Sequence, residues 1–213
     1  MNEVELALAR IADNLDGRFA ELTSLRLLVL TQVGKRLEFS MVRTAIPMIY
    51  AQWEGYVKEV CQLYLEHVES VVKRCLDLHP AMLGYLWTPF LQRMASGLNA
   101  QSKTALAYDV VKSLEQTVIF RNAEKAINTK SNLTYEVLEE IAASLCLDIS
   151  GLAGWKRHLN ALVHLRNSIA HGARPTSLRL EDFDQHAEAI RGLMQDFERT
   201  IFAALRMRAF SSG

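Results

Sequence analysis

The chain has 213 residues, half of them hydrophobic and 23% charged, with 24 Lys plus Arg against 24 Asp plus Glu. That supply of apolar side chains suits one domain, residues 1–213, with a sizeable core; no Pro/Gly/Ser-rich stretch divides it, and no run approaches the ~20 apolar residues of a membrane span. A formal net charge of zero excludes a long-range field that would draw the chain to nucleic acid, so any such contact has to come from a local patch.

From Val4 the apolar positions run Leu8, Ile11, Leu15, Phe19, Leu22, Leu25 and Val29, steps of three and four that predict one long amphipathic helix, with Gly34 loosening its end. A second helix follows, with Ile46, Ile49, Tyr50, Trp53, Tyr56, Val57, Val60, Tyr64, Val68 and Val71 on its buried side. Pro47 lies in its first turn or kinks it. Beyond His79-Pro80 the pattern weakens: Leu83 to Phe90 is apolar yet interrupted by breakers, and Ser96 to Lys103 is polar. Residues 77–131 therefore read as a variable insert region.

A loop from Asn128 to Asn132 leads into a helix from about Tyr135 to Leu145. The next helix is expected after Asp148-Ile149-Ser150-Gly151, carries Leu152, Trp155, Leu159, Leu162 and Val163, and ends at Gly172 as its C-cap. The last helix has Phe183, Ala187, Ile190, Met194, Phe197, Ile201 and Leu205 on one face. No segment shows sustained strand alternation, so the fold class is all-α.

An acidic start, Met1-Asn2-Glu3-Val4-Glu5, is unlike a secretory leader and points to a cytoplasmic protein. Cys61, Cys75 and Cys146 are odd in number and far apart, and are expected as buried thiols rather than as disulfides or zinc ligands. His158 and His164, six apart, suit a metal poorly and read as surface or interface histidines. No cofactor or metal is expected, and the second-helix aromatics read as core.

One residue breaks the pattern. Continued by its own rule, the stripe Leu152, Trp155, Leu159, Leu162 reaches Arg166 and Ile169, which puts a permanent cation where the core should be. Burying a guanidinium costs several kcal/mol unless it is paired, so a carboxylate, a partner chain or a ligand phosphate has to face it. Arg166 and His171 differ by about 140° around an ideal helix, so both can address one substrate only at an unwound helix end or in a cleft between two helices. The bland alternative is that both cations complement a helix C-terminus.

The string Arg166-Asn167-Ser168-Ile169-Ala170-His171-Gly172 resembles the signature of the HEPN superfamily, an Arg, a polar residue, then a His on the penultimate long helix. Upstream, Ala45-Ile46-Pro47-Met48-Ile49-Tyr50-Ala51-Gln52-Trp53-Glu54-Gly55-Tyr56-Val57-Lys58 resembles the second-helix motif of standalone MAE-type HEPN proteins of prokaryotic toxin and defence loci, and Ser131-Asn132-Leu133-Thr134 and Leu145 to Asp148 also fit. The resemblance covers Arg43 to Tyr64 and Asn132 to about Phe202. It implies a HEPN-like bundle of long antiparallel helices and a symmetric homodimer whose two motif helices form a shared, metal-independent endoribonuclease site. On that analogy Arg166 stabilises phosphate, His171 does acid and base work, and Asn167 orients His171 or the phosphate.

Glu54 is a further candidate that either pairs with Arg166 or makes a surface ion pair with Lys58 four residues on. Arg174, Arg179, Lys156 and Arg157 offer a basic rim for RNA or are plain solvated charges. Where nucleotidyltransferase-controlled HEPN proteins carry a Tyr after the His, Gly172, Ala173, Arg174 and Pro175 stand here, which leaves such regulation unsupported. The resemblance implies RNA as substrate and a partner protein, such as an antitoxin, that restrains the activity. A second reading is a catalytically silent HEPN module that uses the cleft for dimerisation or nucleotide binding. Retention of Arg166, Asn167 and His171 together favours the first, because an interface alone could replace a buried Arg with an apolar residue at little cost. A plain helical scaffold leaves the Arg unexplained.

Overall fold

A computed structural model describes residues 2–88, 91–92, 99–120, 127–173 and 177–212. Among these are seven α-helices and no strand: α1 (Glu3–Leu30), α2 (Glu38–Val71), α3 (Pro80–Leu86), α4 (Ala100–Ser113), α5 (Tyr135–Ser144), α6 (Lys156–Ala170) and α7 (Leu180–Met207). The three long helices carry the apolar stripes expected of them. In α1 the buried side is Ala7, Leu8, Ile11, Leu15, Leu22, Leu25 and Val29, and Asn2 caps the first turn by accepting from the Glu5 N–H at 2.8 Å.

Cross-helix pairs set the directions. Arg10 meets Glu66 at 3.0 Å and Arg18 meets Gln52 at 2.9 Å, so α1 and α2 are antiparallel. Arg26 meets Asp184 at 2.8 Å while Arg191 donates to the Thr23 hydroxyl at 2.7 Å, so α7 runs antiparallel to α1. The core between them is aromatic. Trp53 and Tyr56 of α2 both make T-shaped contacts with Phe197 of α7, at centroid distances of 5.9 and 6.4 Å. Each such fully buried side chain contributes roughly 1.5–3 kcal/mol by leaving water.

Of the two readings open for Pro47, the first-turn position is ruled out, since it lies inside the continuous helix α2, beyond its first turn. Three expectations need correction. The penultimate helix begins at Lys156, because Ser150–Trp155 is wound as a 3-10 helix and only then relaxes into α6. The polar run ending at Lys103 opens a real helix, α4, capped by Asn99, whose side chain accepts from the Ser102 N–H at 2.8 Å. It buries only Leu106, so no apolar stripe advertised it. Cys61 and Cys75 are buried as expected, and burial pushes the Cys61 thiol up to about 12, but Cys146 is only half-buried and its sulfur lies 3.0 Å from His79 Nδ1.

Trp155 locks the start of α6 to α7. Its indole N–H donates to Asp196 at 2.8 Å, and its ring fills the space over Gly192, where an added Cβ would lie 2.5 Å from the ring. Gly192→Ala is therefore expected to destabilise the protein by about 1–3 kcal/mol in urea unfolding. Gly17→Ala, in an open and exposed stretch of α1, should instead stabilise it by roughly 0.5–1 kcal/mol. Equal effects of the two would show that the Trp155 contact is not made.

Candidate functional site

The end of α6 is built by local rules. Gly172 takes φ +85°, which only glycine adopts without strain, and the Gly172 N–H reaches Ile169 O at 3.1 Å while the Ala173 N–H reaches Ser168 O at 3.0 Å. This Schellman pair stops the helix and leaves His171 as the residue immediately past it, exposed. Arg43 of α2 donates to Ala173 O at 3.1 Å, which ties the chain leaving the motif to the start of α2. With Arg166 resting on Tyr50 further along, α2 and α6 are antiparallel neighbours.

Arg166 is half-buried. Its guanidinium carbon stands 4.9 Å from the centre of the Tyr50 ring, and its Nη1 donates to two amide oxygens, Asn167 Oδ1 at 2.8 Å and Asn132 Oδ1 at 3.1 Å. No carboxylate pairs with it among the described residues. Two charge-assisted bonds of ~1.5–3 kcal/mol each and a cation–π contact of ~0.5–2 kcal/mol are enough to hold a half-buried guanidinium, but none of them neutralises it.

Of the two possibilities open for Glu54, the ion pair with Lys58 is the one formed, at 2.9 Å. Its carboxylate also accepts from the hydroxyl of buried Thr129 at 2.5 Å. Burial disfavours ionisation of Glu54, yet the bonds from Thr129 and Lys58 outweigh it and hold the carboxyl below its ordinary value of 4.5. Glu54 therefore does not reach Arg166; it holds the loop that does. That loop, 127–134, is shaped by Asn128, whose side chain accepts from the Lys130 N–H at 2.8 Å while Lys130 takes a left-handed φ of 55°. The Leu133 N–H donates to the Tyr50 hydroxyl at 2.7 Å, and the Tyr135 N–H to Asn160 Oδ1 at 2.9 Å. Burial, foremost, raises the Tyr50 phenol above its ordinary range, so it stays neutral.

Asn167 spends its side-chain oxygen on Arg166 and touches His171 only through the backbone, where its carbonyl accepts from the His171 N–H at 2.9 Å. Lys156 sits ten residues before Arg166, about 15 Å along α6, and pairs with Glu136 at 3.2 Å and Glu139 at 3.9 Å. Arg157 and His164 are exposed, and Arg174 lies outside the described residues. Asn132 is the partner that sequence reasoning missed for Arg166. The available signal was the quoted Ser131-Asn132-Leu133-Thr134 string, an amide just ahead of a helix N-cap.

The chain matches the family model of MAE_28990-like HEPN domains over residues 7–210, which takes in all seven helices almost whole. No curated protein and no solved structure matches it.

Because folding lowers the Glu54 pKa, its stabilising contribution is present above pH 4.5 and is lost as pH falls through the lowered value. The stability advantage of the parent over Glu54→Gln, followed by thermal melting from neutral pH downward, should shrink below that point. A constant difference would mean that the Thr129 and Lys58 bonds do not favour the ionised form.

Proposed function

Since the chain belongs to the MAE_28990-like HEPN family, a family commonly of ribonucleases, we propose that it is a metal-independent endoribonuclease that acts as a toxin or defence effector. The observation that carries the reading is the half-buried Arg166, held by amides and an aromatic ring with its charge intact. A site that must take a phosphodiester needs such a charge, whereas a purely structural arginine is more cheaply stabilised by a carboxylate.

In this reading the RNA 2′-hydroxyl oxygen attacks the adjacent phosphorus as the His171 imidazole accepts its proton. The bond from phosphorus to the 5′-oxygen breaks, and that oxygen takes up a proton from an imidazolium. Arg166 stabilises the charge on the crowded phosphorane, and Asn167 keeps Arg166 aimed. The products are a 2′,3′-cyclic phosphate and a 5′-hydroxyl.

One chain alone presents the two groups poorly, with Arg166 turned toward α2 and His171 exposed past the helix end. A symmetric homodimer that faces two α6 ends across a cleft supplies both. The same end of the bundle exposes Leu27, Leu28, Val33, Leu37 and Met48, apolar surface of the kind that a second copy would cover. Arg157 and Arg174 are assigned to flanking phosphates; Lys156, already paired, contributes less. A partner protein that caps the cleft would restrain the activity in the cell.

Incubation with labelled single-stranded RNA in EDTA should yield cyclic-phosphate ends, and His171→Ala and Arg166→Ala should each lower the rate by ~10²–10⁴-fold while remaining folded. Parental rates in both variants would refute the assignment. A parent that sediments as a dimer yet cuts no RNA would favour the silent module instead.

A further inference from the structure

The clamp on Arg166 is asymmetric. Nη1 has two hydrogens and both are spent, one on Asn132 and one on Asn167. The opposite edge, Nε–H with Nη2–H, has no partner among the described residues and is the edge that binds an anion through two parallel hydrogen bonds. The two amides each spend one oxygen lone pair on Arg166 and keep their N–H groups as donors. Three side chains thus offer donors around a charge that no carboxylate pairs with among the described residues.

Asn132 does not stand on a free loop. Thr129, three residues before it, is buried and bonded to Glu54, and the N–H of Leu133, one residue after it, is bonded to Tyr50. Tyr50 therefore serves Arg166 twice, with its ring beneath the guanidinium and its hydroxyl on the loop that brings Asn132.

We propose that Asn132 is a positioning residue that grips Arg166 through a neutral amide, so that the Nε/Nη2 edge stays charged and open to a phosphodiester, with Tyr50 and Glu54 holding the Asn132 loop in register. The proposal rests on the ribonuclease reading and adds to it the residues that keep the arginine unpaired. An aspartate at position 132 separates this role from a merely structural one. It is isosteric and still accepts from Nη1, so a structural role would survive or improve, but it neutralises the charge that the substrate needs.

The test uses the full chain and a fluorescent single-stranded DNA oligonucleotide, which lacks the 2′-hydroxyl and cannot be cleaved. Asn132→Asp is expected to melt at or above the parental temperature, to bind roughly 10- to 100-fold more weakly, and to lose about 0.7 from the slope of log affinity against log salt. Asn132→Ala keeps the charge but drops the clamp, so it should lower kcat on RNA with the salt slope retained. Parental binding by Asn132→Asp beside weakened binding by Arg166→Ala would overturn the proposal and leave the ribonuclease reading standing. A parent that neither binds the oligonucleotide nor cuts RNA would overturn that reading and the proposal together. Should the aspartate variant not fold, Asn132→Ala decides, since parental kcat there overturns the clamp.

Discussion

A permanent charge that is half-buried with no counter-charge among the described residues is the constraint around which this end of the bundle is organised. A guanidinium cannot shed its proton, so Arg166 has to be stabilised as a cation or expelled to solvent. Two amide oxygens and the face of Tyr50 stabilise it. A carboxylate would do so more strongly but would also cancel its charge. Glu54, one turn along α2 from Tyr50, is instead occupied by Lys58 and Thr129.

The long helices make that arrangement rigid. Tyr50 is fixed because its neighbours on α2, Ile49 and Trp53, are fully buried against the same core. The loop that carries Asn132 is pinned on both sides before α5 begins, and Trp155 pins the start of α6 to α7. At the other end of α6, Gly172 ends the helix one residue after His171, and Arg43 holds the departing chain. Groups set by packing on two helices, α2 and α6, and on the loop before α5 are thereby brought to one place, while His171 is left outward at the helix end.

The stripes of α1, α2 and α7 were legible because burial on one side of a long helix leaves a period of three and four, and Arg166 was legible as the residue that violates that period. The partners of Arg166 were less so. Glu54 and Asn132 are each one polar residue at some distance in sequence, and which of them reaches the arginine depends on how the 127–134 loop is bent by Asn128 and Lys130. Helix α4 was hidden for the opposite reason: Leu106 alone is buried, and apolar residues such as Tyr108 and Val111 lie exposed, so no stripe marks a buried face. The 3-10 winding of Ser150–Trp155 carries the same apolar spacing as an α-helix over so short a run, so Leu152 and Trp155 read as the first turn of α6.

What distinguishes a phosphate-binding arginine from a structural one is the fate of its unclamped edge. The Nε–H resonance of Arg166, assigned by its loss in Arg166→Lys and followed by nitrogen-15 NMR while the uncleavable DNA oligonucleotide is added, reports on that edge directly. It should shift in proportion to occupancy and exchange more slowly with water at saturation, as the hydrogen becomes bonded to a phosphate oxygen. A resonance that stays in place while the oligonucleotide binds would place the anion elsewhere and contradict the role given to Arg166.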